Sequence, residues 1–349
     1  MYQCDLSIRL EKPDLAYRCG EAIRGEVVVS VDEPCRSKEL TIASQWRTHG
    51  RGNRTEGQAQ TVTLFSGEWS AGEYRYPFEL AAPTGPATYH GTVLNVDHYL
   101  TARADLPWSV DPKAETEFLL APAPGAADYF HGPEYKPPEH EKATSLSGLG
   151  RATVLQLLFF ALSGFLIMVF GVLVALGLGT GPREGGIVMV LVGAVFTQLG
   201  WLFHHRAITR AITRWVSVRR LGTPMVKLSR DVVRPGDTID VTLVLKPRRT
   251  LALNAAVVEL SGREHAVSGG GTNMTAHDHD VHLRQHSLGA ESHLRAGRRV
   301  VLQASLEVPA GAPPTFAAYY NDLKWTAKVR LGIAGWPDWE EEFPVTVKP

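Results

Sequence analysis

The feature that most constrains this chain is VLQLLFFALSGFLIMVFGVLVALGL, running from Val154 to Leu178 without a single charge. At about 25 residues it is long enough, as a helix, to cross a ~30 Å hydrocarbon layer. A second apolar run, IVMVLVGAVFTQLGWLF, extends from Ile187 to Phe203. It lies near the lower limit of roughly 17 residues for a span, with Trp201 suited to an interface. The intervening GTGPREGG makes a tight turn and cannot house a domain. Neither run has the polar face that a helix in a soluble core carries. The pattern predicts a two-helix transmembrane hairpin over 151–205, with spans 154–178 and 187–203.

Such a hairpin puts both of its flanks on one side. Lys136, Lys142 and Arg151 precede it, and Arg206, Arg210, Arg214, Arg219 and Arg220 follow it, while the turn offers only Arg183 beside Glu184. The positive-inside rule then makes the chain an integral two-pass membrane protein with both remaining parts cytoplasmic. In RAITRAITRW the arginines recur every fourth residue, on one helical face, with Ile208 and Ile212 on another. The basic juxtamembrane segment 206–223 is therefore expected to lie along the bilayer surface through Arg206, Arg210, Arg214, Trp215, Arg219 and Arg220. Two sequons, Asn53-Arg54-Thr55 and Asn273-Met274-Thr275, point to a lumenal side but weigh less than this asymmetry.

Length suits two domains of roughly 100 to 150 residues each beside the hairpin. Both read as β: short runs rich in Val, Thr, Leu and aromatics, divided by Gly and Pro. Strands are expected at 22–31, 39–46, 61–65, 74–80 and 95–104, then at 238–245, 251–260, 299–308, 323–331 and in the final EFPVTV. The two halves also read alike. AYRCGEAI, from Ala16, faces VVRPGDTI, from Val232; LAAPTGPATYHG faces LEVPAGAPPTFAA; HYLTARADLPW faces KWTAKVRLGIAGW. Three matches in the same order argue for duplication of one β-sandwich.

A turn of the form Pro/Cys-Gly-acid-x-Ile leading into a long strand is similar to the opening of arrestin-fold domains. GEYRYPFEL, PTGPATY and NVDHYLTAR extend the resemblance in the first copy, and PPTFAAYYNDLKWTAKVRLGI with WEEEFPVTV extends it in the second. The resemblance implies a mainly β fold: two arrestin/immunoglobulin-like β-sandwiches, here with the two-helix transmembrane hairpin between them. The expected division is a sandwich over 1–119, a proline-rich linker over 120–150, the hairpin, the basic segment, and a second sandwich over 224–349. The linker segment EYKPPEHEK lacks the tyrosine of the ubiquitin-ligase-recruiting motif of α-arrestins, so that role is not implied.

Chemistry is sparse in the sequence. Lys plus Arg equals Asp plus Glu at 36 each, which argues against a nucleic-acid binder. GTGPREGG and SGGGT lack the Gly-Lys-Ser/Thr ending of a P-loop, and no nucleophile elbow is present. Cys4, Cys19 and Cys35 have no CxxC spacing and read as buried or semi-buried thiols. AHDHDVHLRQH supplies weak metal candidates in His277, His279, His282 and His286, but a strand divides them between its faces. No cofactor is expected. In GWPDWEEEF, Trp336 and Trp339 are expected to pack over the sandwich end.

These readings converge on a non-enzymatic, membrane-tethered adaptor or scaffold that binds a membrane-associated protein partner beside the lipid bilayer. Two alternatives stand beside it. One is a metal- or ligand-responsive sensor using the histidine-rich segment 277–286; the other is a structural protein that shapes or marks the membrane.

Overall fold

The computed structural model describes residues 4–107, 109–121, 151–179, 182, 184–195, 198, 219–271, 273–289 and 293–349, apart from the side chains at 58, 59, 151–158, 160 and 161. Arg206, Arg210, Arg214, Trp215 and nearly all of the expected linker lie outside these residues.

The chain is mainly β, folded as two sandwiches with one strand plan used twice. The first contains β1 (Cys4–Leu10), β2 (Ala16–Arg18), β3 (Ala22–Val31), β4 (Cys35–Gly50), β5 (Glu56–Trp69), β6 (Gly72–Ala81), β7 (Tyr89–His90), β8 (Leu94–Asp105) and β9 (Lys113–Ala121). The second contains β10 (Met225–Leu228), β11 (Val232–Val233), β12 (Thr238–Leu245), β13 (Leu251–Ser268), β14 (Thr275–Ser287), β15 (His293–Leu294), β16 (Val300–Glu307), β17 (Phe316–Ala317), β18 (Asn321–Ile333) and β19 (Trp339–Val347). One sheet runs β1-β3-β6 and its counterpart β10-β12-β16; the facing sheets run β2-β9-β8-β4-β5 and β11-β19-β18-β13-β14. Even the exceptional pairings repeat, since β2 joins β9 and β11 joins β19 in parallel. This is the paired-sandwich arrangement that the arrestin resemblance implies.

Alternation drives both sandwiches. Along β4, Leu40, Ile42, Ser44, Trp46 and Thr48 turn inward while Thr41, Gln45, Arg47 and His49 turn outward. That polar outer face explains why β4 and β5 extend beyond the apolar cores from which strands were expected. The repeated turn is built identically in both copies. Gly20 and Gly236 have φ of +77° and +87°, a conformation that suits glycine. The acids that follow accept from backbone amides three residues earlier, Arg18 N to Glu21 at 2.9 Å and Arg234 N to Asp237 at 2.9 Å. Each glycine then bonds its opposite edge, Gly20 N to Ala82 O at 3.1 Å and Gly236 N to Val308 O at 3.0 Å.

The repeat reaches buried side chains. Thr88 Oγ1 accepts from Leu120 N, and Thr315 Oγ1 from Val347 N. His98 Nε2 bonds the Pro86 carbonyl at 2.7 Å, where Trp325 Nε1 bonds the Pro313 carbonyl at 3.0 Å. A carbonyl only accepts, so His98 carries its proton on Nε2. Bulk is exchanged around this pair: His98 lies opposite Trp46, whereas Trp325 lies opposite Gly262.

Between the sandwiches the structure departs from expectation. α1 (Arg151–Ala175) stops before Leu178. Leu178 N bonds Leu173 O at 2.9 Å, Gly177 N bonds Val174 O at 3.0 Å, and Gly177 has φ +76°, a pattern that closes a helix at glycine. A second helical run is described over 184–195. Glycines bring the two runs close: a Cβ on Gly186 would stand 2.6 Å from Gly171 O, and one on Gly193 2.6 Å from Gly164 O. Among the described residues no helix is long and apolar enough to cross a membrane. The expected transmembrane hairpin, and with it the two-pass membrane placement with both sandwiches cytoplasmic, is thereby corrected.

Two expected outcomes follow from the buried groups. Burial pushes His98 down to about 4, against opposing effects of the Pro86 carbonyl and Asp97. The unfolded chain therefore takes up this proton first on acidification, and stability falls as pH drops from about 6.5 to about 4, by on the order of 3 kcal/mol. Urea unfolding across that range should show a shallower pH slope for His98→Gln than for wild type. Gly236→Ala, forced to hold a left-handed backbone, should lower stability by about 1 kcal/mol in the same assay.

Candidate functional site

The inward alternation of β13 runs Leu260, Gly262, Glu264, Ala266, which places an acid where an apolar residue is the rule. Glu264 is fully buried, and its carboxyl group crosses to the first sandwich. Oε2 accepts from Val93 N at 2.7 Å and Thr92 N at 3.0 Å; Oε1 accepts from Tyr89 Oη at 2.5 Å and Thr92 N at 3.2 Å. All of these donors lie on β7 or the turn from it into β8. Gly91 in that turn is required sterically, because a Cβ there would collide with Glu264 Oε1. Burial, and then the bond to Glu264, push the Tyr89 phenol above its ordinary range. Burying an acid without a cation is costly unless its lone pairs are filled, and here backbone N–H groups fill them.

The reciprocal half of the seam is made by Asn321, at the start of β18 and 1% exposed. Its Nδ2 donates to Thr48 Oγ1 at 3.0 Å and Asn53 O at 2.8 Å. Gly52 leaves room for it, since a Cβ there would collide with Asn321 Oδ1. Asn53 in turn grips Gly269 with both amide atoms, Nδ2 to the carbonyl at 2.6 Å and Oδ1 from the amide at 3.1 Å. Backbone joins backbone where Asn53 N donates to Val267 O at 2.8 Å. The indole of Trp46 meets Phe316 edge to face at 5.8 Å.

Beside these bonds lies a small, largely apolar cleft of about 30 Å³, room for about one water. Ala87, Thr88, Tyr89 and Val96 line it from one sandwich and their counterparts Pro314, Thr315, Phe316 and Leu323 from the other. Matching residues meeting face to face relate the two copies by an approximate two-fold axis. The arrangement is a joint: hydrogen bonds and packing fix one orientation between two bodies, in a cleft too small for an organic substrate.

The residues singled out by sequence fall elsewhere than this joint. Arg219 and Arg220 are helical where the described residues resume at 219; Arg220 stacks on the Trp336 ring at 3.4 Å, and its carbonyl accepts from Arg248 N at 2.8 Å. Trp336 is thus partly covered, while Trp339 is buried. His277, His279, His282 and His286 are spread along β14. His277 meets Ser268 Oγ at 3.2 Å and His282 packs on Trp325 at 5.8 Å, and a bulge at Gly262/Arg263 shifts the register between them. The strand therefore does not gather the four imidazoles. Cys4 and Cys19 are buried and Cys35 half-buried, and burial pushes Cys4 up to about 12.

Comparison with known proteins adds little. No family model matches the chain, and no curated protein does. Among solved structures, similarity is found to Spo0M, sporulation control protein, from Bacillus subtilis, at 18% identity and a TM-score of 0.30, over 34% of this chain and 50% of that one. The chain thus spans half the length of that neighbour, and an overlap so slight carries neither fold nor function. The paired-sandwich assignment rests on strand order and the matched bonds.

Removing Glu264 strands three donors inside the seam. Glu264→Ala should destabilise the protein by about 3 kcal/mol or more, and Glu264→Gln by less, because the amide oxygen keeps part of the set. Urea unfolding should then resolve two transitions in Glu264→Ala where wild type shows one.

Proposed function

We propose that this protein is a non-enzymatic adaptor whose two sandwiches, locked together at the seam, act as one composite surface for a protein partner. The observation that carries this reading is how much of the sequence is committed to the joint. A buried acid, a buried amide and two sterically required glycines serve orientation alone. Fixed orientation is useful to a protein that presents two faces to one partner, since both then bind without a further ordering cost.

Open strand edges support the same reading. Among the described residues the larger sheet of each sandwich ends on β5 in the first and on β14 in the second, with no further strand beyond it. A strand of a partner can add to such an edge by backbone hydrogen bonds. Alternating charge along β14, with Asp278, Asp280 and Arg284 outward, guards against indiscriminate pairing and selects among partners.

Proximity labelling in intact cells tests this, with the label fused to the N-terminus of wild type and of the double variant Glu264→Ala/Asn321→Ala. A discrete set of proteins labelled by wild type should fall to background in the variant, while circular dichroism shows both sandwiches still folded. An identical set for both proteins, or none above background for wild type, would contradict the adaptor reading.

A further inference from the structure

A second group of side chains lies on the outer face of the first sandwich, next to the loop that holds Glu264. Asp97 on β8 is a buried carboxylate at 8% exposure, flanked by two imidazoles. His90 Nε2, from β7, is 2.6 Å from Asp97 Oδ1, and His49 Nε2, from β4, is 3.8 Å from Oδ2. Glu117 on β9 completes a set in which one ligand atom each of His90, Asp97 and Glu117 lies within 4.8 Å of the others. Three strands thus deliver one imidazole and two carboxylates to one spot, with the His49 ring beside Asp97. The nearest candidate counter-ion is diverted: Arg47, opposite Asp97 in register, gives its guanidinium to Glu115 at 2.6 Å and 2.7 Å and stacks on Tyr99.

The second sandwich supplies an internal control. Through the shared strand plan, Asp97 corresponds to Lys324, His90 to Ala317, Glu117 to Pro344 and His49 to His265. The scaffold therefore does not need this group in order to fold, and only the first copy carries it.

We propose that His90, Asp97 and Glu117 form a three-ligand binding site for a divalent transition-metal ion of the zinc type, with its fourth position open to solvent. Imidazole nitrogen with carboxylate oxygen is the donor set such ions prefer. Ligand distances of about 2.0–2.2 Å put donors around one tetrahedral ion roughly 3.4 Å apart. The His90–Asp97 contact, a hydrogen bond at 2.6 Å, opens to that spacing when an ion replaces its proton, and the exposed Glu117 reaches it by side-chain rotation. His49 Nε2 is engaged by Tyr99 Oη at 3.1 Å, so that ring borders the site and does not ligate. The ion also braces the seam, because His90 and Asp97 bracket the turn whose Thr92 and Val93 amides hold Glu264. The site stands independently of the adaptor reading, since it concerns a ligand and not a partner.

The test is calorimetric titration of the chelator-treated full chain with zinc chloride, on three proteins. Wild type should bind one ion per chain. His90→Ala/Glu117→Gln, altered only at exposed positions, should bind at least about tenfold more weakly. A variant with His277, His279, His282 and His286 all changed to Ala should keep wild-type affinity. Absence of one-to-one binding in wild type, unchanged affinity in His90→Ala/Glu117→Gln, or loss in the β14 variant would overturn the site. Saturating zinc should also slow hydrogen exchange at the Thr92 and Val93 amides; unchanged exchange there would overturn the bracing.

Discussion

The structure turns on one buried carboxyl group. Glu264 leaves the second sandwich and ends among the backbone amides of the first. Its neighbours fall into place around that bond. Gly91 must lack a side chain, Tyr89 must present its hydroxyl inward, and the β7–β8 turn must point its N–H groups across the seam. Asn321 performs the converse task from β18, donating to β4 and to the loop beyond it. Polar groups of this kind contribute less to net stability than apolar packing does, but they penalise misalignment heavily, since each is costly when left unpaired. The seam is therefore better at fixing an angle than at adding stability.

The approximate two-fold relation between the copies explains why these two contacts come as a pair. Thr48 and Glu264 occupy equivalent positions, facing Val96 and Leu323 in their own sheets. Duplication of one sandwich would have given two like surfaces meeting, and the present residues differ in the way a seam needs: a short hydroxyl accepts on one side, and a long acid reaches across on the other. The same divergence is seen on the outer face, where one copy gathers His90, Asp97 and Glu117 and the other does not.

Much of the fold was legible. The Gly20 and Gly236 turns announced the repeat, because a left-handed glycine followed by an acid and a strand is a local structure that sequence specifies by itself. Apolar alternation located the longer central strands, but it missed β1, β9 and β10 and the end of β4, where Arg47 and His49 face outward. The expected hairpin is overturned by the structure, since among the described residues no helix is long and apolar enough to cross a membrane. The seam was missed, although it left a trace. Glu264 sits at an inward position of a strand that otherwise alternates cleanly, and an acid there signals a partner from outside the strand. The His90 group had no such trace, since its ligands come from three strands and meet only through register, whereas the conspicuous β14 histidines are local in sequence and apart in space.

Everything proposed for the seam requires that the two sandwiches hold one orientation. The most direct measurement is a distance distribution by pulsed electron resonance between spin labels at Ala71→Cys and Ala310→Cys, both exposed positions, in a chain with Cys35→Ser. A single narrow distribution that broadens in Glu264→Ala is the result a fixed seam predicts. A broad or multimodal distribution in the unaltered seam would contradict it.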